Sequence, residues 1–294
     1  MSRLWDPALE EFLEEQRKVA AAPMPPRGAP PPLPEGISAR DIMLGDLRVH
    51  VLSPKAPRGV MLHAHPGGFI AGAPEMSQAE NARLAGALNV VVASVAYRLA
   101  PQHPHPAPLD DCERAALWLL DEGERELGAS LMLVGGESAG ANLAARLLLR
   151  LKRRGALAAV KGANLIVGNY DIAGTPSQRL APDHYFLSPE RLRGSREAAF
   201  PGRDAEALRD PEISPLYADL AGMPPAIFTI GAQDSVLDDS LFMAMRWRAA
   251  GVSAELAVYP EATHIFMGQP TRMAAEAKRR ITDFLQARLD GKSR

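Results

Sequence analysis

Seven apolar, β-branched runs separated mostly by amphipathic helical patterns constrain this chain more than any other feature. The runs fall at 46–52, 59–64, 89–96, 131–135, 163–168, 225–231 and 254–259; helical spacing appears at 77–88, 108–122, 139–154, 238–250 and 271–288. Strands that alternate with helices need crossover connections, so the pattern predicts a mostly parallel sheet with helices on both faces, an α/β architecture. Runs 46–52 and 59–64 have no helix between them and are expected to form an antiparallel hairpin at the sheet edge. The helix at 139–154 carries Arg150, Lys152, Arg153 and Arg154 before Gly155, cations and a glycine where a helix should stop.

Two segments stand outside this alternation. Residues 4–20 place Leu4, Trp5, Ala8, Leu9, Phe12 and Leu13 on one helical stripe, too small to fold alone and therefore expected to dock elsewhere. Residues 22–34 hold seven prolines and should run as extended polyproline. The expected division is an N-terminal cap helix and Pro-rich linker over 1–36, then a catalytic domain over 37–294. Within the latter, 170–215 mixes Tyr185-Phe186-Leu187 with charges, Gly and Pro and reads as a cap insertion.

Composition excludes several classes. The chain has 294 residues, 47% hydrophobic, enough for a large core without staples. Its 33 basic against 35 acidic residues give no basic surplus for nucleic acid or anionic lipid. No apolar run reaches the ~18 residues of a membrane span. The acidic N-terminus lacks the apolar stretch of a signal peptide. Cys112 is the only cysteine, so no intrachain disulfide or Cys-x-x-Cys metal site can form, and a reducing, cytoplasmic location is expected. No cofactor or metal is called for; the expected partner is a small-molecule substrate, and the chain admits a homodimer.

The chemistry concentrates in three places. Gly136-Glu137-Ser138-Ala139-Gly140 follows one apolar run and opens a helix. A serine on such a sharp strand-to-helix turn needs small neighbours, and the turn projects its hydroxyl out of the sheet at a helix N-terminus. His65-Pro66-Gly67-Gly68-Phe69 follows an earlier run. Consecutive glycines can present bare N–H groups, and Gly67, Gly68 and the Ala139 N–H after the nucleophile are the expected donors to an oxyanion. A serine nucleophile needs a base, and the base an acid. Of the seven histidines, His264 lies just past the last apolar run, whereas His65 belongs to the glycine loop, where it holds loop shape. Asp234 follows 225–231, so both partners stand at strand C-terminal ends. Asp238 and Asp239 fall where the next helix should have begun and read as first-turn carboxylates. Cys112 reads as a packed thiol.

Together these residues resemble the hormone-sensitive-lipase-like branch of the α/β-hydrolase carboxylesterases, from about residue 59 to the end. His65 to Phe69 resembles the family's H-G-G-G-F/W loop. Tyr97-Arg98-Leu99-Ala100-Pro101, with Pro106-Ala107 and Asp110-Asp111, resembles its Y-R-L-A-P segment, in which Arg98 is expected to pair with a nearby carboxylate. Ser214-Pro215-Leu216 before Pro224-Pro225 resembles its S-P-L, and Asp234 and His264 match its acid and base. Pro66, Gln102, Ser235 and Ile265 depart from the pattern without removing a catalytic group. The resemblance implies an α/β-hydrolase fold with a small cap, and hydrolysis of short-to-medium acyl esters through an acyl-enzyme on Ser138, Asp234 and His264. An amidase, lactonase or deacetylase with the same triad, or a non-catalytic small-molecule receptor on the same fold, remain alternatives.

Overall fold

Successive side chains of the central strands are buried on alternate faces of a sheet, Met61, Val92, Leu133 and Ile227 on one and Leu62, Ala93, Val134 and Phe228 on the other. Two apolar faces need cover on both sides. The computed structural model, which describes residues 7–21 and 32–291, supplies it. The strands are β1 (Ser38–Leu44), β2 (Leu47–Ser53), β3 (Val60–Ala64), β4 (Val91–Val95), β5 (Met132–Glu137), β6 (Val160–Ile166), β7 (Ala226–Gln233) and β8 (Ala254–Thr263). They join in the order β1-β2-β4-β3-β5-β6-β7-β8. Helices α2 (Gln78–Leu88) and α8 (Arg272–Leu289) cover the Met61 face; α3 (Ala107–Leu127), α4 (Ala139–Arg153) and α7 (Leu237–Ala249) cover the other.

The edge hairpin differs from expectation. Run 46–52 does not pair with 59–64; β2 pairs antiparallel with β1 through the turn at Gly45-Asp46 and with β4 on its other side. Strand β3 lies between β4 and β5, parallel to both. The reason is burial: all five residues of β3 are buried and belong at the sheet centre, whereas β1 has no buried residue and suits an edge. Strand order reverses around β3, with β4 to one side and β5 to the other, so a crevice opens at the C-terminal ends of β3 and β5.

Segment 170–215 leaves β6 and returns to β7. Its ends are core: Asp171, Ile172, Thr175, Gln178, Leu208, Ile213 and Ser214 are buried. Residues 179–198 between them contain no buried side chain and carry most of α6 (Pro189–Ala199); the short α5 (Pro176–Leu180) precedes them. The first turn of α7 fastens the near end. Asp239 accepts hydrogen bonds from the Tyr170 and Asp171 amides, the Thr175 hydroxyl and the Gln178 side-chain amide, all at 2.7–2.8 Å. Asp238 accepts one from the Ser177 amide at 2.8 Å. Both occupy the first helical turn as expected, but their partners are in the insertion.

Helix α1 (Pro7–Ala21) packs on β8 and α8. Leu4 and Trp5 of the expected stripe, and all but the last three residues of the Pro-rich run, lie outside the described residues. Leu13 is buried in the core on the Met61 face, with Phe12 against it. Gln16 is wholly buried; it donates to the Gln269 side chain and accepts from the Thr271 hydroxyl at 2.9 Å. No helix among the described residues is long and apolar enough to cross a membrane. Gln16→Leu takes a partner from the buried Thr271 hydroxyl and from the half-buried Gln269 side chain and should cost about 1–3 kcal/mol. Denaturant unfolding of the full chain measures this; an unchanged midpoint would show that the clamp contributes nothing.

Candidate active site

Strand β5 ends at Glu137 and α4 begins at Ala139, so Ser138 alone makes the connection. Its backbone is at φ 56°, ψ −120°, a conformation that costs a non-glycine residue on the order of 1–3 kcal/mol. The neighbours make the turn possible. A Cβ on Gly140 would stand 2.0 Å from the Ala64 carbonyl oxygen, and one on Gly136 would stand 2.4 Å from the Gly140 carbonyl. The α4 N-terminus thus rests directly on the end of β3, which any side chain would forbid. The Ser138 amide donates to the Ile166 carbonyl at 2.9 Å, and the Ser138 carbonyl accepts from Ala141 and Asn142 in the first turn of α4.

The other two candidates reach the same point from neighbouring strands. Asp234 follows β7, and His264 follows β8. Asp234 Oδ2 lies 2.8 Å from His264 Nδ1, and His264 Nε2 lies 2.9 Å from Ser138 Oγ. A carboxylate only accepts, so Nδ1 carries the ring proton and Nε2 is left to accept from the serine hydroxyl. The Val236 amide donates to Asp234 Oδ1 at 3.1 Å, and the Asp234 side chain is closed to solvent. The Phe186 ring stacks on the His264 ring, 6.0 Å between centroids and 13° from parallel.

The glycine loop continues from β3. Gly67 is at φ 136°, where a Cβ would lie 1.9 Å from the Ala71 carbonyl oxygen; the Gly67 carbonyl accepts from the Ile70 and Ala71 amides. Among the described residues, no protein acceptor engages the amides of Gly67, Gly68 or Ala139. His65 and Tyr97 shape the loop: their rings stack at 4.0 Å, and the Tyr97 hydroxyl donates to the His65 carbonyl at 2.7 Å. Burial lowers the His65 imidazole to about 4 and that of His63 to about 3, so both are neutral at pH 7. Arg98 binds Asp111 through two guanidinium nitrogens and its own amide, each at 2.9 Å, as the sequence suggested. Burial pushes the Cys112 thiol up, as befits a packed residue.

Ser138, His264, Gly67, Gly68 and Ala139 open onto one largely apolar cavity of about 810 Å³. Residues of α6 and the Phe186-Leu187 stretch form its far wall, and Ile265 lines it. Ser235 donates from its hydroxyl to the Leu187 carbonyl, fastening that wall to the loop that carries Asp234. Sequence reasoning missed three contributors: Phe186 against the histidine, Asp239 beneath the insertion and Gln16 beneath the histidine loop. The signal for Asp239 was present, since an acid on the same helical stripe as Met243 and Trp247 must be buried. Among the described residues no group of three or more His, Cys, Asp or Glu side chains could hold a metal ion.

Glu137, beside Ser138, accepts from the Ser77 hydroxyl at 3.3 Å. Burial, and then the negative charge of Glu80, push its carboxyl up to about 7. The native state therefore holds this proton between the ordinary carboxyl value and pH 7, where the unfolded chain has lost it, and rising pH across that window erodes stability. Glu137→Gln should remove this slope, so the variant gains on the wild type from pH 4.5 to 7.5. Urea midpoints at both ends of the window check the sign; a variant that loses ground as pH rises would contradict it.

A family model described as the alpha/beta hydrolase fold matches residues 61–268. A carboxylesterase of Mycobacterium tuberculosis is 32% identical over 229 residues, covering 75% of this chain and 71% of that one. An ethyl acetate hydrolase of Pseudomonas putida is 31% identical over 243 residues, covering 80% and 75%. A longer Aspergillus terreus protein, named an FAD-linked oxidoreductase, is 30% identical over 257 residues, but the match spans only 31% of its length. Among solved structures, a hormone-sensitive lipase from a metagenome library superposes with a TM-score of 0.79 at 28% identity, covering 98% of this chain and 93% of that one.

Proposed function

The chain belongs to the α/β-hydrolase family, in its hormone-sensitive-lipase-like branch of carboxylic ester hydrolases, and from that premise we propose that it cleaves short-to-medium acyl esters through an acyl-enzyme on Ser138. The observation that carries this reading is the unbroken chain of contacts from Asp234 through His264 to Ser138, opening onto an apolar cavity beside free backbone N–H groups. Ser138 Oγ bonds to the ester carbonyl carbon as its proton passes to His264 Nε2. The carbonyl oxygen takes up the negative charge and lies against the N–H groups of Gly67, Gly68 and Ala139. The carbon–alkoxy bond then breaks, and the alcohol leaves with the proton from Nε2. Water attacks the acyl-serine, gives its proton to the same nitrogen, and the acid departs as Oγ recovers its hydrogen. Asp234 holds the tautomer that makes Nε2 the base.

Chain-length preference rests on the cavity. About 810 Å³ closed by α6 and Phe186 accommodates a short or medium acyl group with its alcohol. The name of the Pseudomonas putida relative, an ethyl acetate hydrolase, supports a small substrate.

Ser138→Ala should retain the fold and lose on the order of 10⁶-fold in kcat on 4-nitrophenyl butyrate. Asp234→Asn should lose roughly 10³–10⁴-fold, because the ring is then held in the wrong tautomer. A phosphonate ester should label the wild type once, at Ser138. Near wild-type turnover by purified Ser138→Ala would refute the mechanism.

A further inference from the structure

The cavity is apolar except for a few groups whose charges do not balance. Its lining includes two cations, Arg191 and Arg196, both on α6, and one carboxyl group, Glu137. Glu137 sits at the floor and accepts from Ser77, with its carboxyl pushed up to about 7. The other acids on α6 lie elsewhere: Glu197 is exposed and pairs with Arg193 at 3.9 Å, and Glu190 is exposed. Arg191 is exposed; it donates to the Phe186 carbonyl at 2.8 Å and lies over the Phe186 ring at 5.6 Å, so its contacts are neutral. Arg196 is half-buried and meets no carboxylate or other hydrogen-bond acceptor among the described residues.

The half-buried Arg196 guanidinium has lost part of its hydration without gaining a counter-charge. A neutral substrate leaves it so. A carboxylate offers two parallel acceptors that match the guanidinium fork. Both cations line the cavity onto which Ser138 and His264 open, and Arg191 rests on the Phe186 ring, which stacks on His264. Arg196 follows Ser195, whose hydroxyl lies 3.0 Å from where a Gly68 Cβ would stand, next to the proposed oxyanion donors.

We propose that Arg191 and Arg196 make this cavity selective for esters that carry a second, free carboxylate: hemiesters of short dicarboxylic acids, or acyl esters of hydroxy acids. This rests on the ester-hydrolase reading and adds the substrate class to it. The carboxylate is recognised at one end of the cavity while the ester is cleaved at Ser138.

Two pairs of esters test it, each pair differing only by carboxylate against carboxamide. The first is the 4-nitrophenyl hemiester of glutaric acid against the 4-nitrophenyl ester of glutaramic acid, with the charge on the acyl side. The second is O-butyrylglycolate against O-butyrylglycolamide, with the charge on the alcohol side. The readout is the ratio of kcat/KM, carboxylate over carboxamide, at pH 7. A charge-assisted hydrogen bond lost from a partly dry site predicts a 10- to 100-fold fall of that ratio in Arg191→Gln/Arg196→Gln, in at least one pair. Arg191→Lys/Arg196→Lys, which keeps the charges, should recover part of the ratio, and the pair that responds identifies the side. A fall of less than 10-fold in both pairs, with the carboxamide esters still hydrolysed by the double Gln variant, overturns the proposal and leaves the esterase reading intact. A wild type that hydrolyses none of the four esters nor 4-nitrophenyl butyrate overturns both.

Discussion

The contact between the start of α4 and the end of β3 sets the geometry of everything else at the site. Gly140 stands so close to the Ala64 carbonyl that a methyl group has no room. Because the helix cannot be moved away without opening the sheet, Ser138 must bridge β5 and α4 in one residue at positive φ. The energy that holds this strain comes from α4 itself, in which twelve of fifteen residues are buried. Burying one leucine side chain supplies about 1.5–3 kcal/mol, so a few of them outweigh a single strained backbone. The same contact places the glycine loop, which leaves β3 immediately after Ala64, beside the serine. One close approach thus positions both Ser138 and the N–H groups beside it.

How much of this can be read in the chain depends on whether a residue's neighbours are local. The meeting of Ser138, Asp234 and His264 was legible because each stands at the end of an apolar strand, and in a parallel sheet those ends converge whatever the intervening loops do. Gly67 and Gly68 were legible for the same reason. Strand β1 was not: Arg40 and Asp41 interrupt it, none of its residues is buried, and only its pairing with β2 makes it a strand. Missing it turned β2 toward β3 in the expected hairpin. Phe186 and Gln16 could not be assigned because their partners, His264 and Gln269, are far away in sequence.

The three loops around Ser138 are held by different means. The glycine loop is fixed by stacking and a buried hydroxyl, His65 on Tyr97. The insertion is fixed at its near end by Asp239, whose four donors satisfy backbone and side chains that would otherwise be buried unpaired. Helix α1 braces the loop after His264 through Gln16, and the end of β8 before it through Arg17, which reaches Glu261 at 3.3 Å. Between the anchored ends, 179–198 has no buried side chain. The part of the wall that lines the cavity is therefore the part least committed to the core, where sequence can change without loss of fold.

The charges of the cavity follow from which cations the fold neutralises. Arg150, on the packed side of α4, is surrounded by Asp110, Glu113 and Glu212. Arg146, one turn earlier and fully buried, has only neutral partners, Asn142 and His105, and lies 5.9 Å from the Phe200 ring centroid. Burial lowers its guanidinium to about 9 and, with the nearby cation, the His105 imidazole to about 3, so the two do not repel at neutral pH. Those arginines are answered by the protein because their positions are closed to water. Arg191 is exposed and Arg196 half-buried, so the fold can leave them without an anion at little cost in stability. An anion that enters the cavity then displaces water, not a protein carboxylate, and the guanidinium groups are free to meet it.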